Sequence, residues 1–330
     1  MKKHLITTLK FAVVGGIFIF LYRSGQLDVS KLTAAYDHLG LFFLSMAFIF
    51  SGSLLTVERW RCLLRVQNFH IGYWLGAKLT LVGLYFSAVI PGSVSGDIVK
   101  AYYIAHGEDD KESLVTSVLF DRLLGLFTTI LYASLALGTG VVIALVTGEG
   151  GVWTEPALVS LSLFVLALFF GLTLMGLLFM SSNLRRSSLI ENTLKRLPLS
   201  RLLTKVYDAV HEYGRNPALT ARAFALSIVS QIPLFAGLWC MALILGISEL
   251  SVLDFLVALP VCFLINAIPL APGGLGVGEA GFGTVFLMFG SESGAELSML
   301  FHAVFFMLAL GLGGGVYLLT DVSKESWTRP

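Results

Sequence analysis

Two long apolar stretches of this 330-residue chain are interrupted in the same way, and the interruption limits what the chain can fold into. The first break reads Pro91-Gly92-Ser93-Val94-Ser95-Gly96-Asp97, the second Pro272-Gly273-Gly274-Leu275-Gly276-Val277-Gly278-Glu279. Each begins with Pro-Gly, runs through small residues and ends on glycine followed by a carboxylate. Charged residues make up 13% of the chain, against about 25% in soluble domains. The apolar runs are long enough to cross about 30 Å of hydrocarbon. Backbone that cannot stay helical is tolerated at membrane depth only where protein buries it or water reaches it. A matched pair of Gly/Pro interruptions in the two halves of a membrane protein points to the binding site of a transporter.

The expected fold is an all-α polytopic membrane protein. Apolar spans are read at 5–22, 39–58, 74–90, 123–146, 156–180, 221–246, 252–268 and 297–319. The segments at 74–90 and 252–268 run straight into the breaks. If each enters partway and turns back, 98–106 and 278–290 are return arms. The count is then about six full spans and two re-entrant hairpins. Basic residues after Met1 and bulky Phe20-Leu21-Tyr22 before Arg23 mark the first span as an uncleaved helix.

The distribution of charge supports this topology. With both termini in the cytoplasm, the inner segments are 1–10, 59–78, 97–122, 184–222 and 320–330. They hold three, four, three, eight and two basic residues, 20 of the 22 in the chain. That is a strong positive-inside bias, and it disappears if either hairpin becomes a full span. The whole chain, 1–330, then reads as one integral membrane domain. Residues 39–146 form a first pseudo-repeat with hairpin 74–106, and 221–319 a second with hairpin 252–290. The two have opposite orientation, the pattern of an inverted-topology repeat. Between them, 181–219 reads as a cytoplasmic basic amphipathic connector, with 184–215 placed to meet anionic headgroups.

Charge inside a membrane is expensive, so each instance needs a reason. Asp97 and Glu279 close the two breaks, Asp121-Arg122 precedes a span, and Arg59 lies at the inner end of another. The expected site is a polar cavity between the hairpins. In it Arg122 and Arg59 contact an anionic phosphate, which arginine binds in bidentate fashion. Asp97 and Glu279 hold those arginines or a headgroup amine, Asp121 is a further candidate for contact with the substrate, and the break residues Ser93, Ser95, Gly273 and Gly274 add anion contacts. The alternative for Asp97–Arg122 is a purely structural ion pair. Glu279 and His302 are candidates for proton or cation coupling. Asn266 and Gln231 read as interhelical hydrogen-bonding residues. Cys62, Cys240 and Cys262 read as small buried hydrophobes. No metal-ligand spacing, nucleophile motif, nucleotide loop or nucleic-acid motif is found, and no cofactor is expected.

The motifs Glu58-Arg59-Trp60, Pro91-Gly92 with Gly96-Asp97, Asp121-Arg122-Leu123-x-Gly125 and Pro269-x-x-Pro272-Gly273-Gly274-Leu275-Gly276-Val277-x-Glu279 carry a family resemblance. Over most of 5–320 the chain resembles the lysylphosphatidylglycerol synthase/flippase transmembrane-domain family of bacteria and archaea. The resemblance implies a flippase or scramblase in the cytoplasmic membrane, moving an anionic, aminoacylated or glycosylated lipid between leaflets. No synthase domain follows the last span, so a stand-alone flippase-like member is expected. Ser93 and Ser95 stand where the family pattern has glycine. Two other readings stay open: a membrane-embedded transferase or hydrolase acting on a lipid-linked phosphate, and a proton- or cation-coupled carrier of a small amphiphile. Membrane lipids are the expected partners, nucleic acid is not, and a homodimer is left open.

Overall fold

The computed structural model describes residues 33–90, 94–106, 111–147, 156–180, 211–268 and 274–320, with Arg23. The expected span 5–22, tips 91–93 and 269–273, and connector residues 181–210 lie outside the described residues. The described residues are mostly helical, joined by short turns, with no strand among them. We number the helices α1 Leu39–Val66, α2 Tyr73–Val89, α3 Ser95–Ala105, α4 Lys111–Thr147, α5 Pro156–Met180, α6 Pro217–Ile244, α7 Val252–Asn266, α8 Val277–Met288 and α9 Gly294–Leu319.

Four of these, α1, α4 up to Val146, α6 and α9, are long and apolar enough to cross a membrane. The chain is a multi-pass membrane protein. Helices α1 and α4 run further than their apolar cores suggest. Helix α1 continues through Glu58 to Val66, because Glu58 pairs with Arg61 one turn on and with Arg65 two turns on, at 3.2 Å from the latter. Helix α4 starts at Lys111, twelve residues before the expected span, and is 37 residues or about 55 Å long. Asp121-Arg122 therefore lies inside a helix rather than at its start.

The breaks separate α2 from α3 and α7 from α8. At the first, Ser95 Oγ donates to the carbonyls of Phe86 at 3.2 Å and Ile90 at 3.1 Å, tying the start of α3 to the end of α2. Gly96 is indispensable there: a Cβ on it would fall 2.1 Å from the carbonyl oxygen of Gly83. At the second, Gly274 and Gly276 adopt φ of +90° and +81°, the left-handed region that favours glycine.

Packing between the two sets of helices is reciprocal. Helix α1 lies along α6, α4 packs on α7, and α2 packs on the later part of α9. Within each set α2 packs on α3 and α3 on α4, as α7 packs on α8 and α8 on α9. On the α1–α6 seam, Gly52 meets the carbonyl of Ser230 (Cβ distance 3.1 Å) and Gly237 meets that of Ser45 (3.0 Å). Ser45 and Gly52 are seven residues apart, as are Ser230 and Gly237. The main apolar core is built largely from α6, α7, α8 and α9. A second cluster around Trp60, Leu64, Leu75, Leu79 and Ile104 anchors α2 and α3 to α1.

Helix α9 is π-helical from Met307 to Gly313. Gly313 is pressed on α2, where a Cβ would fall 2.4 Å from the carbonyl of Leu81, while Gly311 and Gly315 face open space. The glycines of this helix thus serve close packing at one or two positions, not along the whole stripe.

Candidate functional site

A cavity of ≈ 430 Å³ lies between the two sets of helices. Its wall carries five charged residues: Arg59 from α1, Asp97 and Lys100 from α3, and Asp121 and Arg122 from α4. Leu84, Leu126, Leu234, Phe263, Phe301 and Phe305 supply the greasy part of the lining. The residues flanking both breaks contribute, Ser87, Gly96 and Asp97 at the first, Asn266 and Ala267 before the second. Taking the charges at neutral pH, the wall has an excess of one positive charge.

Asp121 organises the deepest part. Arg59 Nε donates to Asp121 Oδ1 at 2.7 Å, and Lys100 Nζ lies 3.7 Å from Asp121 Oδ2. All three are buried, with 6–8% of their surface exposed. Lys100 also sits over the Trp60 ring, 3.7 Å from its centroid, a cation–π contact that offsets part of the cost of burying the ammonium. The indole N–H of Trp60 donates to Ser117 Oγ at 3.2 Å, which fixes the ring. Arg59 Nη1 donates to Ser227 Oγ at 3.0 Å, and Ser227 is linked to Thr128 at 2.9 Å. The guanidinium lies against Gly125 of α4, where a Cβ would make ordinary van der Waals contact, 3.4 Å from Nη1.

Arg122 and Asp97 occupy a more open position. Arg122 Nη1 donates to Asp97 Oδ2 at 2.9 Å, and about 30% of each side chain is accessible (31% and 30%). A single contact leaves most of the five donors of the guanidinium for another acceptor. Gln231 Nε2 donates to Thr129 Oγ1 at 3.2 Å, bridging α6 and α4 as expected of it. Asn266 differs: its Oδ1 is buried without a hydrogen-bond partner.

The chain matches the family model described as the lysylphosphatidylglycerol synthase TM region over residues 7–313. The chain belongs to this family. No curated protein and no solved structure matches it significantly.

Of the residues singled out from sequence, Arg59, Asp97, Asp121 and Arg122 meet in one cavity. Ser95 faces backbone carbonyls of the α2 end rather than the cavity, because its hydroxyl closes the turn. Gly274 lies against Asn266, with no space for a Cβ, 1.9 Å from Oδ1. Ser93 and Gly273 lie outside the described residues. Glu279 is not among the lining residues. It is fully buried and pairs with His302, whose Nδ1 lies 2.6 Å from Glu279 Oε1. The basic partner missing from its own stretch of sequence comes from α9.

Lys100 was the residue sequence reasoning passed over. It had been counted only as inner-side charge, yet it lies three positions after Asp97, on the same helix face. That spacing is the signal that would have found it. Among the described residues no group of three or more His, Cys, Asp or Glu is arranged to hold a metal ion.

Proposed function

We propose that this protein moves a lipid with a phosphate-bearing headgroup between the leaflets of a bacterial or archaeal cytoplasmic membrane, as a flippase or scramblase. The observation that carries this reading is the single cavity that joins the Arg122–Asp97 and Arg59–Asp121–Lys100 groups to an apolar wall. Its ≈ 430 Å³ is within the usual range for small-molecule sites and suits a headgroup rather than a whole lipid. Phosphate is bound by the open donors of Arg122, with Lys100 and Arg59 supplying the field. Acyl chains stay in the bilayer and follow the greasy side. The family name, which refers to lysylphosphatidylglycerol, supports a lipid as cargo.

Inverted-repeat architecture with two re-entrant hairpins accounts for the reciprocal packing. Exchanging the first set of helices for the second turns α2-on-α9 into α7-on-α4, and turns the Gly52–Ser230 contact into Gly237–Ser45. Two such halves can expose one central site to either leaflet in turn. Both termini then lie in the cytoplasm, in accord with the positive-inside bias.

The test is movement of fluorescent phosphatidylglycerol between leaflets of proteoliposomes, with lipid masses measured afterwards. Wild type should move it with mass unchanged, and Arg122→Ala should lower the rate at least about tenfold, the value of one charge-assisted phosphate contact. Folded wild type that moves none of the phospholipids offered would refute the reading. A changed lipid mass would replace it with a membrane-embedded enzyme.

A further inference from the structure

The C-terminal end of α1 carries a second cluster of charge, separate from the cavity. Glu58 pairs with Arg61 and Arg65 of its own helix and with Arg222 of α6, the last two at 3.2 and 3.4 Å. Residues 58, 61 and 65 share one helix face, while Arg59 is turned about 100° from Glu58 and reaches the cavity. Glu58, Arg61, Arg65 and Arg222 are all absent from the cavity wall.

One carboxylate cannot neutralise three guanidinium groups, so the cluster keeps an excess of two positive charges. Arg61 spends Nη1 on Glu58 and Nε on the Ile71 carbonyl at 3.0 Å, and it lies over the Tyr73 ring, 5.8 Å from the centroid. The side chains of Arg65 and Arg222 each make a single contact, to the same Oε1 of Glu58. A guanidinium has five donors, so most of theirs remain for another acceptor. The Arg222 side chain is 59% accessible and that of Arg65 26%, which puts those donors within reach from outside the protein.

Depth identifies what meets them. The apolar run of α1 ends at Glu58, and Arg61 and Arg65 follow about 4.5 and 10 Å further along the axis. The headgroup layer occupies roughly 5–8 Å beyond the hydrocarbon on each side, so the two residues bracket it. Trp74, at the start of α2, is 77% exposed. Its neighbour Tyr73 donates its hydroxyl to the Leu54 carbonyl at 3.2 Å, which holds this turn against the end of α1. An exposed tryptophan in that position marks the membrane–water interface. Gly52 meets Ser230 and Gly237 meets Ser45, so α6 runs antiparallel to α1 and brings Arg222 to the same level.

We propose that Arg61, Arg65 and Arg222 bind the headgroup of a lipid with two phosphodiesters, resident in the leaflet beside the α1–α6 seam and separate from any cargo in the cavity. Two excess charges match two phosphates, and basic pockets between spanning helices suit such headgroups. Arg65 and Arg222 each offer a fork of parallel donors to one phosphate. Two turns further along α6, on the face of Arg222, Val229 is 45% exposed and gives the acyl chains an apolar path. By the positive-inside bias this is the cytoplasmic leaflet. The site stands independently of the carrier reading.

Native mass spectrometry of the detergent-purified full chain, titrated with cardiolipin or with twice the molar amount of phosphatidylglycerol, counts the lipids held and gives their affinities. Wild type should hold one cardiolipin at least about tenfold more tightly than phosphatidylglycerol, the value of a second charge-assisted phosphate contact. Arg65→Gln and Arg222→Gln should each weaken cardiolipin about fivefold, the effect of one basic residue at a lipid surface, and together about 25-fold. Arg215→Gln removes the same charge, but Arg215 is spent on Glu212 at 3.0 Å, so the affinity should stay as it was. Arg122→Ala, in the cavity, should also leave it unchanged. Equal affinity for the two lipids in wild type, or a preference surviving in the double variant, overturns the proposal. So does a loss in Arg122→Ala as large as in Arg222→Gln, which would put the lipid in the cavity. Displacement of cardiolipin by inorganic pyrophosphate at equal concentration would make this a site for soluble anions and overturn it as well.

Discussion

Replacing Asp121 by Asn should expose how much of the fold depends on one buried carboxylate. Asp121 lies 2.7 Å from Arg59 and 3.7 Å from Lys100, and at an effective dielectric of about 20 each contact has a gross attraction of roughly 4–6 kcal/mol. Most of that is offset by the cost of taking three charges out of water. The relevant quantity is the penalty for leaving two buried cations without a counter-charge, about 3–5 kcal/mol. At about 2 °C per kcal/mol, the low end of the usual conversion because the chain is long, Asp121→Asn should lower the Tm by about 6–10 °C. Adding Lys100→Met should restore at least about half of the loss, because one of the stranded cations is then gone. Tryptophan fluorescence and gel filtration of the detergent-purified protein during heating would give both values. A single variant within about 2 °C of wild type, or a double variant that is simply additive, would refute the account of Asp121 as the shared counter-ion.

Ser227→Ala removes a partner from both Arg59 and Thr128. It should cost about 1–2 kcal/mol in the same melting assay, and lipid movement should slow as the guanidinium loosens. Trp60→Phe keeps a ring under Lys100 but loses the Ser117 bond. It should cost about 1 kcal/mol, with Trp60→Leu about 1 kcal/mol worse, again read from Tm. Gly96→Ala sets a methyl 2.1 Å from the Gly83 carbonyl and should sharply reduce monodisperse protein on gel filtration, whereas Gly138→Ala, with nothing within 4 Å, should leave the yield unchanged.

Much of the fold could be read from sequence because hydrocarbon imposes a simple rule: long apolar runs are helices. Helices were expected at 98–106 and 278–290, and α3, Ser95–Ala105, and α8, Val277–Met288, lie there within a few residues. Helix ends beyond the apolar core were harder to read. The continuation of α1 to Val66 is set by Glu58 pairing along the helix, and polar residues that extend a helix look like those that end one. In the site, Arg59, Asp97, Asp121 and Arg122 were legible because each charge stands out against apolar neighbours. Lys100 did not, since it follows the break in a short segment already assigned to the inner face. Glu279 stands in a stretch with no basic residue nearby. That the partner is His302 depends on how α8 meets α9, and separation along the chain cannot supply that.

The charges on the cavity wall also make a prediction about cargo. Three basic and two acidic side chains leave one positive charge on the wall of a cavity that is partly open and partly apolar. Net charge in such a place is penalised, so a headgroup is favoured when its own charge brings the total to zero. A phosphodiester with no other charge, as in phosphatidylglycerol, does this. A zwitterion such as phosphatidylethanolamine leaves the excess in place. A lysyl-phosphatidylglycerol headgroup, net positive at neutral pH, increases it, and its amines can recover only what Asp97 yields by releasing Arg122. The expected order of movement in proteoliposomes at low salt is therefore phosphatidylglycerol first, phosphatidylethanolamine second, lysyl-phosphatidylglycerol last. Lys100→Met, which makes the wall neutral, should narrow the gap between the first two by about tenfold or more, the effect of roughly 1.4 kcal/mol. If lysyl-phosphatidylglycerol moves fastest in the wild type, the headgroup is held by its amines on Asp97 rather than by its phosphate on Arg122. The charge-balance argument would then have to be abandoned.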